Sequence, residues 1–449
     1  MKQVLGRLLA IGIGVFVLGC ASVRPTLQIP EKRPLGQQYH TVAPEAAPSE
    51  IAISDSGEVL TLPVALQLAL LKNPELQGVA YEIRIREAQA LQASFLPNPE
   101  ASVEVENVGG QGDVSGLRAA ETTLQIGQLI ELAGKRQKRT RVAELEGTLA
   151  GWDFEARRMD VYLQTVQAYV DVVAAQERLR LMRELQELAE QFLITIQERI
   201  AKGKDSPAEA ARAEVELANA RVAVQAAEKS LQSARRQLAS MWGSPALKFQ
   251  QVAGQLDTLP ALPPRNALLT YVKRTPEVAR WAAAIQLAEA RLALEKAQRV
   301  PDPTLSAGIR RLNEIDASAF VLGISLPLQI FNRNQGNIQA AALQRKQANY
   351  FQQAALLDVQ TRLFTLYNQL AALQAEITIL KNQSMPRAEQ AFQVIREGYL
   401  QGRYGFLEVL DAQRTLFDVR SRYIDVLSEF HQRIAEIERL IARPINGVF

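Results

Sequence analysis

Two acidic residues stand at the start of a helical stretch, directly after a glycine-containing turn. Gly402 and Gly405 interrupt the preceding helical pattern, and Glu408 and Asp411 follow them three residues apart. At that spacing the two carboxylates project on neighbouring sides of one helix. Several copies of such a pair at one constriction would repel each other and attract cations. The alternative is that these acids stabilise the positive end of the helix dipole, typically by about 0.3 to 1 kcal/mol.

Few residues of the chain are suited to catalysis or to tight metal binding. The 449 residues include two histidines, His40 and His431, and a single cysteine, Cys20, none of them near another ligand at metal-site spacing. A zinc site of histidine and cysteine is therefore excluded by count, and His431 is expected on a helix surface. No phosphate loop, nucleophile elbow or dinucleotide fingerprint occurs, so we predict no enzyme activity and no cofactor. A net charge of +3 is too small to indicate nucleic acid as a partner.

The single cysteine follows a short apolar run near the N-terminus. A basic start precedes residues 8–18, which are apolar but too few to span a bilayer as a helix. The adjoining letters VLGC resemble the lipobox of bacterial lipoproteins, in which the signal is cleaved before a cysteine that becomes lipidated. We therefore predict a signal peptide at residues 1–19 and a lipid anchor at Cys20, with Ala21 favouring the outer membrane. An ordinary signal peptide with an incidental cysteine is the alternative.

Beyond an extended, proline-rich leader at residues 20–58, the chain repeats itself. The segment KNPELQGVAYEIRIREA, from Lys72, matches RTPEVARWAAAIQLAEA, from Arg274, and three further pairs of segments match in the same order about 200 residues apart. This pattern predicts an internal duplication with the following parts: a first repeat at 59–242, a linker at 243–264, a second repeat at 265–442 and a tail at 443–449.

Each repeat predicts one helix, then two strands, then two very long helices. The strands alternate between apolar and polar residues, and they have about the 9 to 11 residues that a membrane-spanning strand needs. The apolar residues of the second pair are predicted to face lipid, although a soluble hairpin with one wet face would show the same alternation. They are Leu305, Ala307, Ile309, Phe320, Leu322 and Ile324.

The long helices carry the apolar spacing of coiled coils. From Leu356 to Leu380, and again from Val409 to Phe430, apolar residues recur alternately every three and four positions. The segment from about Asn334 to Gln401 is expected to be one helix on the order of 100 Å long, which no compact domain accommodates. The predicted fold is mainly α with a small β part. Since the strands of one chain would leave open edges in lipid, several chains must share any barrel they form.

The motifs NPELQ, LPNPE, VENVGG, AAETTL, ELAGKR, FNRNQGN and GFLEVLDAQRTLF resemble those of the TolC family of outer-membrane efflux channels, and most of all its CzcC branch. The likeness covers nearly everything after residue 58. It implies a homotrimer in the outer membrane, with four strands per chain in a twelve-stranded β-barrel and a coiled-coil tunnel in the periplasm. It also implies passive export of heavy-metal cations, with a periplasmic adaptor and an inner-membrane transporter of the resistance-nodulation-division type as partners.

The resemblance further implies a gate at the periplasmic tip of the helices. It assigns Tyr399, Glu408 and Asp411 to the closure, and it puts Tyr404 where the family has a gate arginine, with Arg403 one residue earlier. The equivalent residues of the first hairpin and the glycines of the turns complete the predicted tip: Glu209, Arg212, Gly203, Gly402 and Gly405.

Two other functions remain as alternatives. One is a periplasmic coiled-coil adaptor or scaffold lipoprotein of an efflux system, and the other is a TolC-like channel for organic compounds. Adaptors carry one central hairpin flanked by β-rich domains, whereas two hairpins are predicted here, each preceded by a pair of strands. The sequence therefore favours the channel over the adaptor.

Overall fold

Helices make up most of the chain, accompanied by one small sheet, as predicted. The computed structural model describes residues 25–35 and 59–445. Cys20 and His40 lie outside the described residues, and so do the proposed signal peptide and most of the leader. Two compact units are present, one of residues 25–30, 81–152 and 280–353, and one of residues 31–35, 59–80, 153–279 and 354–445.

The two halves of the described chain share one order of elements, except that the long helix after the strand pair is divided in two in the second half. In the first half these are β1 (Val59–Leu60), α1 (Leu62–Lys72), α2 (Pro74–Ser94), β2 (Glu100–Glu106), β3 (Glu121–Leu129), α3 (Lys135–Ala201) and α4 (Pro207–Ser240). In the second half they are β4 (Gln251–Val252), α5 (Arg265–Leu269), α6 (Pro276–Gln298), β5 (Thr304–Leu312), β6 (Ala317–Ser325), α7 (Gln335–Ile379), α8 (Met385–Leu400) and α9 (Phe406–Ile441). Among these helices, none has both the length and the hydropathy needed to cross a bilayer.

The prediction of one regular helix from Asn334 to Gln401 is wrong in one detail. Residues 380–384 form a π-helical turn between α7 and α8, and Pro386 lies in the first turn of α8. Proline has no N–H group and its ring crowds the preceding turn, so the regular hydrogen-bond ladder does not continue through it. A widened turn accommodates this interruption without ending the helical path.

The four longer strands form one antiparallel sheet in the first unit. Their order is β2-β3-β5-β6, so that β3 and β5 join the strand pairs of the two repeats. Leu124 stands opposite Ile309, which in turn stands opposite Phe320. At Gly308 of β5 a Cβ would collide with the backbone of β3, so only glycine fits this close pairing. Among the described residues, β2 and β6 each pair with a single strand, which makes them edges.

The core of the second unit follows the predicted coiled-coil seam. Val359, Leu363 and Leu370 of α7 are completely buried, as are Val409 and Val426 of α9. The remaining seam residues are buried or pack in part against the same clusters. The predicted spacing of three and four is therefore confirmed, and burial of these side chains, at about 25 cal/mol per Å² of apolar surface, accounts for the pairing of helices that are otherwise polar.

A short piece of the leader is held tightly by the second unit. Residues 31–35, here called the strap, have no helix or strand, but the guanidinium of Arg158 donates hydrogen bonds of 2.6 and 3.0 Å to the carbonyl oxygens of Leu35 and Arg33. Both carboxylate oxygens of Glu155 accept from Arg158, and one also accepts from the backbone N–H of Arg33. Arg158 is fully buried, and a buried charge is tolerated only when it is paired and hydrogen-bonded in this way.

The expectation that His431 lies on a helix surface is wrong. His431 is completely buried, and its Nε2 lies 2.9 Å from the carbonyl oxygen of Leu256. Burial lowers the pKa of its ring, because desolvation disfavours the charged form. The linker covers this side of α9, and helical periodicity alone does not reveal that a loop will pack over a helix face.

Candidate functional site at the two helical turns

Two turns of the same backbone geometry join the long helices in the second unit. Gly203 follows α3 with φ of +68°, and Gly402 follows α8 with φ of +75°. The N–H of the residue after each glycine donates to the carbonyl oxygen five positions earlier, at 2.9 Å in the first turn and 2.8 Å in the second. A left-handed glycine with this bond is the Schellman ending of a helix, and glycine adopts that conformation without strain.

A polar network connects the first turn with the end of α8. The guanidinium of Arg199 donates to both carboxylate oxygens of Asp205, at 2.7 and 3.0 Å, and also to the carbonyl oxygen of Leu400 at 3.0 Å. The hydroxyl of Tyr399 donates to Oδ2 of Asp205 at 2.6 Å. The guanidinium carbon of Arg199 also lies 4.6 Å from the centroid of the Tyr399 ring. One aspartate therefore accepts from both helical hairpins.

The charges of this network are stabilised by its hydrogen bonds. The bond from Arg199 holds the pKa of Asp205 below its usual range, and it raises the pKa of Arg199 itself. Burial raises the pKa of the Tyr399 hydroxyl, and the neighbouring Asp205 raises it further. At neutral pH the network therefore consists of a carboxylate, a guanidinium and a neutral phenol.

The second turn has different side chains at the equivalent positions. Where the first turn has Arg199 and Asp205, the second has Gly398 and Tyr404. The Tyr404 ring packs so closely on Gly398 that a Cβ there would collide with it. An ion pair closes one turn and an aromatic ring on a glycine closes the other, although their backbones match.

After each glycine-containing turn, the third residue of the next helix is a glutamate. Ser206 caps α4 by accepting from the N–H of Ala208 at 3.2 Å, and Glu209 is the third helical residue after that cap. Gly405 is the cap residue of α9, and the Glu408 carboxylate folds back to within 2.9 Å of where a Cβ of Gly405 would stand. Both glutamates are thus placed to stabilise the positive ends of helix dipoles.

The other predicted tip residues are exposed on the protein surface. Asp411 lies almost one turn beyond Glu408, and its side chain points to solvent, as do those of Arg212 and Arg403. No ion pair joins Arg212 to Asp411 within the described residues. Capping accounts for Glu408, but it does not account for Asp411, because that residue stands beyond the first helical turn.

One face of the sheet in the first unit is apolar and open to the surroundings. The residues predicted to face lipid pair directly across β5 and β6: Leu305 with Ile324, Ala307 with Leu322, and Ile309 with Phe320. All six are exposed, Leu322 to 83%. Val103, Leu124 and Ile126 of the first strand pair extend the same face. A continuous exposed apolar face of this kind indicates a partner or a membrane.

The opposite face of the sheet is polar and is tied together by one arginine. Arg310 of β5 donates to Thr123 and Glu121 of β3, each at 2.9 Å, and forms an ion pair of 3.1 Å with Glu106 of β2. The sheet thus separates an apolar face from a hydrogen-bonded polar one, as the alternation along its strands predicts.

The model of the family described as outer membrane efflux protein matches residues 65–244 and again residues 270–443. The chain belongs to this family. The cobalt-zinc-cadmium resistance protein CzcC of Cupriavidus metallidurans is 34% identical over 384 residues, which are 86% of this chain and 90% of CzcC. The nickel and cobalt resistance protein CnrC of the same organism is 30% identical over 322 residues, which are 69% of this chain and 76% of CnrC. A crystal structure of CusC aligns with a TM-score of 0.72 and 17% identity, covering 94% of this chain and 99% of that one, which is a likeness of fold.

These findings confirm the predicted resemblance and favour an efflux channel over a coiled-coil adaptor. This outer membrane efflux protein also contains two tip residues that the sequence did not reveal as important, Arg199 and Asp205. The signal that could have found them is the comparison of its own repeats. Arg199 and Asp205 of the first turn have opposite charges, whereas the equivalent residues of the second turn, Gly398 and Tyr404, are uncharged. An ion pair in a turn can also bind a neighbouring element.

In the part of this outer membrane efflux protein that the structure describes, no group of three or more histidine, cysteine, aspartate or glutamate residues could hold a metal ion. Glu408 and Asp411 therefore belong to no such group within the described residues.

Proposed function

We propose that the protein is the outer-membrane channel of a tripartite efflux system and passively conducts heavy-metal cations out of the cell. The observation that carries this proposal is the exposed apolar face of the sheet, which lies in the same chain as the long paired helices. CzcC and CnrC, which are named for resistance to cobalt, zinc, cadmium and nickel, are similar over most of the chain. The metals in these names suggest divalent heavy-metal cations as the substrate class here.

The two free edges of the sheet support a trimeric barrel. A sheet in lipid must leave no unpaired backbone groups, and among the described residues β2 and β6 each lack a second pairing strand. Three copies of a four-stranded sheet, joined edge to edge, would close a barrel of twelve strands with the apolar face outward. Leu305, Ile309 and Leu322 would then contact outer-membrane lipid.

The same proposal assigns the remaining parts of the chain. The long helices of the repeats at 59–242 and 265–442 would form a tunnel in the periplasm, and the linker at 243–264 would join them. The tunnel would end on a periplasmic adaptor and an inner-membrane transporter of the resistance-nodulation-division type. Cys20 would anchor the mature chain to the outer membrane by its acyl chains, each buried methylene contributing about 0.8 kcal/mol.

The turns would act as the gate of the tunnel. Glu408 and Asp411 are exposed on one side of α9, and in a trimer three copies of each would approach the axis and attract cations. Tyr399 would not face the passage, because it is buried within its own chain. It would support the gate by holding the two hairpins together through its hydrogen bond to Asp205. Arg403, Tyr404, Glu209 and Arg212 would form the rim of the same constriction.

The function is tested by purification from outer membranes and by reconstitution. We expect a detergent-extracted trimer that forms cation-selective pores in planar bilayers, and we expect deletion of the gene to make cells sensitive to cobalt, zinc or cadmium. Incorporated fatty acid should disappear in Cys20→Ala while the pores remain. A monodisperse, water-soluble monomer of the mature chain would contradict the barrel, and unchanged metal tolerance after deletion would contradict the substrate class.

A further inference from the structure

A cavity of about 490 Å³ lies in the second unit, beside the end of α9. Three separate pieces of chain form its walls: the strap, the turn before α6 and the residues that end α9. The cavity is lined by Glu31, Lys32, Arg33, Pro34, Tyr271, Arg274, Ile441, Ala442 and Arg443. A volume of this size is typical of sites for small molecules.

The lining is strongly basic. It includes Lys32, Arg33, Arg274 and Arg443 against one acid, Glu31. Lys32 and Arg33 are half-buried, whereas Arg274 and Arg443 keep access to solvent. The guanidinium carbon of Arg443 lies 4.6 Å from the centroid of the Tyr271 ring. Stacking of this kind fixes the plane of a guanidinium and leaves the N–H groups at its edge available for a second partner.

Hydrogen bonds to the backbone of the strap and of Ala442 hold the cavity in shape. Arg158 holds the backbone of the strap at Arg33 and Leu35, and the N–H of Leu35 donates to the carbonyl oxygen of Ala442 at 3.3 Å. Leu35 is completely buried in the core. The basic side chains therefore project from a backbone that is already fixed, which lowers the entropy lost when a ligand binds.

The positive charges of the cavity oppose one another. Burial and the repulsion of Arg274 both lower the pKa of Arg33, although Glu155 and Glu31 counteract them. Burial and the charge of Arg158 likewise lower the pKa of Lys32, and Glu155 counteracts them.

We propose that this cavity is a binding site for a phosphate group, on either a small phosphorylated molecule or a lipid headgroup. A phosphate monoester carries up to two negative charges on three oxygens, and guanidinium groups bind such oxygens in pairs. A single carboxylate carries only one charge and presents only two oxygens to the guanidinium groups of Arg274 and Arg443. The bound phosphate would link the strap to the end of α9, and so it would strengthen the attachment of the leader to the helical unit.

The experiment uses the full-length protein in detergent at constant ionic strength, because surface electrostatics depend on salt. Calorimetric titrations with inorganic phosphate, pyrophosphate and citrate measure the chemistry of the ligand. Nanodiscs containing phosphatidic acid are compared with nanodiscs of phosphatidylcholine alone to detect a headgroup. Arg274→Gln and Arg443→Gln are measured separately, with Arg236→Gln on the exposed face of α4 as the matched control.

Saturable binding of phosphate or pyrophosphate that raises the melting temperature supports the site, provided that it weakens at least tenfold in both cavity variants and not in Arg236→Gln. Binding confined to phosphatidic acid nanodiscs, with the same dependence on Arg274 and Arg443, supports a lipid headgroup as the source. Tighter binding of citrate than of pyrophosphate would overturn the choice of phosphate. Equal binding by wild type and both cavity variants, or no binding of any phosphate probe, would overturn the site.

Discussion

The hydroxyl of Tyr399 donates a 2.6 Å hydrogen bond to Oδ2 of Asp205, and this bond joins the end of α8 to the turn that follows α3. Asp205 also accepts from Nε and Nη2 of the Arg199 guanidinium. The second helical hairpin is therefore attached to the first within one chain, at the place where the proposed tunnel would close. The bond from Arg199 to the carbonyl oxygen of Leu400 joins the same two hairpins.

Removal of that hydroxyl should loosen the tip without unfolding it. In Tyr399→Phe the ring keeps its neighbour Phe406, at a centroid distance of 6.0 Å, but Asp205 loses one donor. Hydrogen bonds to charged groups contribute about 1.5 to 3 kcal/mol, so we expect a higher open probability in single-channel recordings. Tyr404→Phe is the matched control, because its ring packs on Gly398. Equal open probabilities in the two variants would show that the Tyr399 bond has no part in closure.

Neutralisation of the exposed tip acids should change ion selectivity. Glu408→Gln combined with Asp411→Asn removes two charges per chain, and since like charges in a narrow passage favour cations, we expect lower cation selectivity and weaker block by trivalent cations. The measurement is the reversal potential and blocked conductance of purified channels in planar bilayers. Glu214→Gln, on an exposed position of α4, serves as the control. If selectivity and block both stay at wild-type values, these acids only stabilise a helix start.

A charge on the apolar face of the sheet should prevent stable insertion. Leu322 is 83% exposed at the middle of β6, and an arginine facing the centre of a bilayer costs about 2 to 4 kcal/mol in a barrel. Leu322→Arg should therefore lower the amount of trimer in outer membranes. Ser325→Arg, on the opposite face of the same strand, tests whether the effect depends on the face. Equal losses from both substitutions would argue against lipid contact at Leu322.

A buried glutamate should give the helical unit a distinct pH dependence. Glu438 is 1% exposed and accepts from the N–H of Ile445 at 2.6 Å, and burial raises its pKa from 4.5 to about 7. The native state therefore favours the protonated form of Glu438. Its contribution to the free energy of unfolding is fully present below pH 4.5 and is lost as the pH rises through about 7. A shift of this size corresponds to about 3 kcal/mol.

Glu438→Gln keeps a neutral side chain at every pH, so its stability should fall less than that of wild type between pH 5 and pH 8. Thermal unfolding of the detergent-solubilised protein at both pH values measures the difference. Glu397→Gln, exposed on α8, should retain the wild-type dependence. A Glu438→Gln protein that loses as much stability as wild type would assign the pH dependence to other groups.

Much of this fold follows from local patterns in the chain. Gly203 and Gly402 stand where helices end in the left-handed conformation, and the alternation from Leu305 to Ile309 matches the exposed face of β5. Periodicity predicts these features because they depend on backbone dihedrals and on which side of one element a residue occupies. The duplication adds the order of the elements, since each repeat folds by the same local rules.

The sequence by itself thus determined the helices, the strand faces, the turns and the family resemblance, whereas contacts between distant segments were decided only by the tertiary structure. His431 is buried because the linker covers it at Leu256, and Tyr399 finds Asp205 194 residues away along the chain. Arg158 holds the strap by a hydrogen bond to Leu35, from which it is separated by 123 residues along the chain. Such contacts depend on how elements pack in three dimensions, and a single sequence carries no periodic signal for which loop covers which helix or which base meets which acid.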